Sequence, residues 1–71
     1  NKMNNTELKE ALFNQRPVIL KMPLLGDIEY SKVSALIYRV VDGKTKITAE
    51  LYDKSGNGVT VAPPEYIRYK E

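Results

Sequence analysis

Asp42-Gly43, set between the apolar stretches at residues 36–41 and 47–51, constrains this chain more than any other pair of residues. Asp-Gly is the composition of a two-residue type I′ turn, whose twist matches that of the strands it joins. Such a loop sets Tyr38 opposite Ile47, Leu36 opposite Ala49 and Ser34 opposite Leu51, gathering apolar residues on one face. The other face then pairs Arg39 with Lys46, Ile37 with Thr48 and Ala35 with Glu50. A three-residue loop would place Arg39 opposite Ile47 on the buried side, where an unpaired guanidinium is costly. The two-residue register therefore predicts a hairpin with a like-charge Arg39/Lys46 pair, which needs an anion or a carboxylate nearby to offset it.

Residues 28–41 are too long and too apolar on both parities for one flat strand. Ile28 and Tyr30 belong to one face, Val33, Ala35 and Ile37 to the other, and Leu36, Tyr38 and Val40 return to the first. A bend or bulge at residues 31–34 reconciles them, in the manner of the long curved strands by which small barrels turn a corner. Residues 17–22 read as a first strand with Pro17 at the position that tolerates it. Pro23-Leu24-Leu25-Gly26-Asp27 is a loop whose two leucines are expected to fold back over the core, since an exposed apolar pair is the less common arrangement. Residues 47–53 alternate cleanly and end at the Gly- and Asn-rich turn 54–58. A short strand at 59–61, a tight Pro-Pro turn with one turn of 3₁₀-helix and a last strand at 67–70 follow. Val61 and Ile67 are expected to anchor that closing turn in the core.

The helix comes first, at residues 4–15. With Asn4 as N-cap, Glu7 stands at N3 in a capping-box relation, and Met3 and Leu8 form a hydrophobic staple. Leu8, Ala11 and Leu12 share a narrow apolar stripe that must dock on the sheet. Arg16-Pro17 ends the helix, because the residue before a proline is pushed out of the α region. The expected architecture is one domain over residues 1–71: mainly β with one N-terminal α-helix, the helix at about 4–15 and a small five-stranded barrel at about 17–70.

Composition narrows the chemistry. The 71 residues contain no His and no Cys, so the usual general base, the usual transition-metal ligands, thiolate nucleophiles and disulfides are all missing. A non-catalytic chain with no cofactor and no metal is expected, in a cytoplasmic setting. The carboxylates Asp27, Glu29 and Glu50 read as solvated surface charges. Gly56-Asn57-Gly58 lacks the continuation of a phosphate loop, and Asp53-Lys54-Ser55-Gly56-Asn57 lacks the acidic spacing of a calcium loop. The longest apolar runs are far short of the roughly 20 residues that span a bilayer, so no membrane partner is expected. Met3 is expected to be the natural start, which sets Asn1 and Lys2 aside.

The run Val61-Ala62-Pro63-Pro64-Glu65-Tyr66-Ile67 resembles the segment of Src homology 3 domains in which a strand meets a Pro-containing 3₁₀ turn carrying a Tyr, then a final strand. The resemblance covers about the last two-thirds of the chain and implies an SH3-like barrel. That family's peptide groove uses a Trp and an aromatic-rich first strand; this chain has no Trp, and its first strand has no aromatic. Leu8-Lys9-Glu10-Ala11-Leu12-Phe13, Arg16-Pro17-Val18, Asp27-Ile28-Glu29-Tyr30, Ile37-Tyr38-Arg39 and Ala49-Glu50-Leu51-Tyr52-Asp53 with Val59-Thr60-Val61-Ala62 are similar to small uncharacterised proteins on mobile elements of Gram-positive gut bacteria. That likeness implies a bacterial accessory protein and brings no activity with it.

Tyrosine is the informative residue, with five against one Phe. Tyr30 and Tyr38 share a face if no bulge separates them, and a buried Tyr needs a partner for its hydroxyl. Tyr52, Tyr66 and Tyr69 fall on or near outward positions. One reading leaves them half-buried across a core too small to cover them. A second makes Tyr52, Pro63, Pro64 and Tyr66 a shallow groove for an unknown protein partner. A third makes the chain a nucleic-acid accessory protein that binds through Tyr38, Arg39, Lys44 and Lys46 at the hairpin. Short edge strands and strand lysines favour a monomer.

Overall fold

The computed structural model describes residues 2–71. Helix α1 (Asn5–Asn14) begins as the residues dictate: Asn4 Oδ1 accepts the Glu7 N–H at 2.8 Å, and Glu7 Oε1 accepts the Asn4 N–H at 3.0 Å. Met3 is buried, and its N–H donates to the Ile67 carbonyl at 2.9 Å, which ties the entry of the helix to the last strand. Leu8 and Ala11 are fully buried, and Leu12 packs at the margin of the core. Burying a leucine contributes about 1.5–3 kcal/mol, which compensates for the marginal stability of a ten-residue helix. The helix ends at Gln15 in the left-handed conformation (φ 60°), immediately before Arg16-Pro17.

Six strands form two antiparallel three-stranded sheets: β1 (Val18–Met22), β2 (Gly26–Tyr30), β3 (Lys32–Val41), β4 (Lys44–Tyr52), β5 (Val59–Ala62) and β6 (Ile67–Tyr69). The strand orders are β2-β1-β6 and β3-β4-β5. The chain is thus mainly β with one N-terminal helix, in two sheets and not in one closed five-stranded ladder. The additional strand has a local cause. The expected long strand is cut at Ser31, whose N–H and hydroxyl both donate to the Tyr52 carbonyl, at 2.9 and 3.1 Å. That corner frees β2 to pair with β1 while β3 goes on to pair with β4.

The hairpin has the two-residue register, with Tyr38 opposite Ile47, Leu36 opposite Ala49 and Arg39 opposite Lys46. At the bulge the expectation fails by one residue: Val33, not Ser34, lies opposite Leu51. Ser34 is the extra residue, and its hydroxyl donates to Glu50 Oε1 at 2.9 Å and to the Glu50 carbonyl at 3.2 Å. The bulge thereby turns Val33 inward, where it is fully buried with Leu51. The core consists of these two residues with Leu8, Val18, Leu20, Ala49, Ala62 and Ile67, bounded by Met3, Ala11 and Tyr30. Tyr30 is 9% exposed, and its hydroxyl is bonded to Thr60 Oγ1 at 3.1 Å, bridging the two sheets.

Two expectations about apolar residues are corrected. Leu24 and Leu25 do not fold back; they are 96% and 72% exposed. Met22 already pairs with Gly26, so only three residues make the turn, and its tip projects away from the core instead of reaching across it. Val61 does not anchor the closing turn either, being 50% exposed. Thr60 and Ala62 take the inward positions of β5, so Ala62 and Ile67 are the buried anchors.

Candidate functional site

The closing turn is built by proline. Ala62 pairs with Ala49, and Pro63, next in line opposite Thr48, has no N–H to extend the ladder. The Thr48 hydroxyl oxygen is buried there without a hydrogen-bond partner among the described residues. Pro63 stays extended, Pro64 opens a 3₁₀ turn (Pro64–Tyr66), and the Tyr66 N–H donates to the Pro63 carbonyl at 3.2 Å. Ile67 then returns to the core as the first residue of β6.

Between those buried anchors Tyr66 is turned outward and 48% exposed. It lines a shallow cavity of about 240 Å³ with Lys2, Lys21, Glu65, Ile67 and Arg68. The sheet explains the company it keeps: β1 pairs Leu20 with Ile67, so the next step of the same register brings Lys21 beside Tyr66. Arg68, opposite Ile19, donates to Asp27 Oδ2 at 2.6 Å. Lys2 and Lys21 have no ion-pair partner among the described residues. The cavity therefore offers one aromatic ring, two uncommitted ammonium groups and one acid, Glu65.

Tyr52 stands elsewhere. It pairs with Val59 at the opposite end of β5 from Pro63 and does not line the cavity. Its hydroxyl donates to the Gly56 carbonyl at 3.2 Å, and the Lys32 ammonium lies 5.4 Å from its ring centroid. Of the four groove candidates, Pro63, Pro64 and Tyr66 share the closing turn and Tyr52 does not. At the hairpin, strand alternation puts Arg39, Lys44 and Lys46 on one face and Tyr38 on the other. Tyr69 is half-buried under local contacts: the Arg16 guanidinium sits 4.0 Å above its ring, and Asn14 Nδ2 donates to its hydroxyl at 2.9 Å.

The carboxylates Asp27, Glu50 and Asp53 are engaged locally. Asp27 holds Arg68, Glu50 accepts from Ser34, and Asp53 Oδ2 accepts the Ser55 hydroxyl at 2.9 Å. No group of three His, Cys, Asp or Glu side chains suited to a metal comes together among the described residues.

Glu29 is gripped by two cations, Lys70 at 3.0 Å and Lys54 at 3.6 Å. The Lys70 hydrogen bond does most to hold its carboxyl below the ordinary glutamate value; burial opposes it, and the charges of Lys54 and Lys70 add to the lowering. A carboxyl depressed on folding contributes stability above its unfolded pKa and loses it as pH falls through the folded one. Because the pair is largely solvated, the stability effect is small, and the sensitive observable is the titration itself. In a carbon-detected NMR titration, Glu29 is expected to titrate below the usual glutamate range and to move back up in Lys70→Gln.

Lys2, Lys21 and Arg68 were not foreseen as neighbours of Tyr66. The available signal was the outward parity of Lys21 beside buried Leu20, but only the pairing of β1 with β6 converts it into proximity. No family model, no curated protein and no solved structure matches this chain.

Proposed function

We propose that this chain is a non-catalytic interaction module that docks a protein partner at its closing turn. The observation that carries this reading is Tyr66, an exposed aromatic on a turn fixed at both ends by buried Ala62 and Ile67. Two adjacent prolines hold its backbone, so little conformational entropy remains to be lost on binding. Tyrosine is enriched among the few residues that dominate interface energetics. Lys2 and Lys21 beside it favour a partner segment that couples an apolar side chain to a carboxylate, while Pro63 and Pro64 are half-buried in the turn that leads into Tyr66. Tyr52 belongs to a separate patch with Val59 on the outer face of β4 and β5.

The same reading takes the two sheets as the halves of a small SH3-like barrel. The orders β2-β1-β6 and β3-β4-β5, the corner at Ser31 and the 3₁₀ turn before β6 support it. The likeness to small mobile-element proteins supports a cytoplasmic accessory role in a bacterium.

A selection from a displayed peptide library tests the site. Peptides recovered on the parent chain are expected to lose about tenfold or more in affinity for Tyr66→Ala, as truncation of a central aromatic anchor does. Selected peptides that bind both chains equally would place the docking surface elsewhere.

A further inference from the structure

The β3–β4 hairpin runs beyond the core. Residues 38–46 are exposed on both faces, so the distal part of the hairpin stands as a two-stranded ribbon clear of the sheet packing. A two-stranded ribbon by itself is marginal in water. The one cross-strand charge pair it contains, Arg39 opposite Lys46, is repulsive. Lys44, opposite Val41, continues the same face. None of these three cations has an ion-pair partner among the described residues, and the nearest acid on that face of β4, Glu50, is bonded to Ser34.

The charge distribution sharpens the point. Residues 38–47 hold three of the 11 basic residues and one of the 9 acidic ones, which leaves eight of each in the rest of the chain. The whole net charge of +2 therefore sits on the ribbon. Lys44 and Lys46 lie about 7 Å apart along β4, at two residues of strand rise, with Arg39 across from Lys46. This is a row of cations on a narrow projecting element.

We propose that this face of the β3–β4 ribbon binds the phosphate backbone of a nucleic-acid duplex through Arg39, Lys44 and Lys46. The ribbon's form favours a duplex over a single strand. A two-stranded β-ribbon enters a major groove about 12 Å wide, whereas single strands are held by aromatic platforms. The only aromatic on the ribbon, Tyr38, points to the face opposite the cations. The surface is separate from the closing turn, and its test does not depend on the partner proposed there.

Fluorescence anisotropy with a labelled duplex of about 20 base pairs, a matched single strand and poly-glutamate measures it, because three phosphate contacts predict a slope of log K against log salt near −2.7. The parent is expected to bind the duplex with a Kd of roughly 10⁻⁴–10⁻⁶ M at physiological salt and more than tenfold tighter at about 50 mM, in both cases more tightly than the single strand or poly-glutamate. Arg39→Gln and Lys46→Gln are each expected to flatten the slope by about 0.9 and to weaken binding for every duplex sequence. Lys9→Gln removes the same charge from the exposed side of α1 and is expected to leave both slope and affinity unchanged. All three positions are exposed, and coincident unfolding curves confirm that the variants remain folded. The proposal is overturned by no duplex binding at low salt, by equal losses in Lys9→Gln and Lys46→Gln, or by tighter binding to the single strand or to poly-glutamate.

Discussion

Leu51→Ala is expected to leave this chain largely unfolded at room temperature. Leu51 is fully buried on β4, opposite Val33 on one side and Thr60 on the other, at the level where the Ser34 bulge turns the core inward. Truncating a buried leucine to alanine costs about 2–5 kcal/mol, because the cavity left behind collapses only in part. A single core in a chain this small rarely supplies more than about 3–5 kcal/mol, and without cysteine no disulfide adds to it. The loss therefore consumes most of the margin. Circular dichroism during a urea titration is the measurement, with an expected midpoint close to zero denaturant. Val61→Ala, only one strand away but on the solvent side, is expected to shift the midpoint little. Equal effects at the two positions would contradict the assignment of faces.

The second large effect concerns the hairpin turn. Asp42 (φ 52°) and Gly43 (φ 76°) both lie in the left-handed region, as a type I′ turn requires. A Cβ built on Gly43 meets nothing within 4 Å, so a side chain there suffers from backbone conformation alone and not from crowding. Gly43→Val is expected to cost about 1–3 kcal/mol, the range for a non-glycine residue held in that region. A D-alanine at the same position has the mirror preference and is expected to match the parent or exceed it. Chemical synthesis of both forms and comparison of their urea midpoints separates the backbone term from any loss of contacts. A D-alanine form as unstable as the valine form would show that the turn is not type I′.

What the residues revealed in advance was what local chemistry determines. The capping box of Asn4 and Glu7 and the Asp42-Gly43 register are set within a few residues, and both are present. The bulge near Ser34 was visible as a clash of parities, but its exact residue was not, because Ser34 and Val33 compete for the place opposite Leu51. Tertiary bonds from the serine to Glu50 decide the competition. The inward face of β5 was misread at Val61 for a similar reason. A four-residue strand carries too little alternation to fix its parity, and the Tyr30–Thr60 bond fixes it from β2. The expectation that Leu24 and Leu25 fold back rests on the rarity of an exposed apolar pair, yet a three-residue turn lacks the length to return them.

The candidate site divides along the same line. Tyr66 and the two prolines were legible, being adjacent in sequence. The cations around Tyr66 come from the N-terminal segment, β1 and β6, and only pairing over dozens of residues assembles them. The ribbon cations were legible as a cluster, since the hairpin that groups them is local.

Chemical-shift mapping of the isotope-labelled chain with a peptide selected on it tests docking at the closing turn most directly. The expected result is saturable perturbation of Lys21, Glu65, Tyr66 and Arg68, with the amides of residues 38–46 unmoved. Perturbation centred on the outer face around Tyr52 and Val59, with Tyr66 silent, would contradict it.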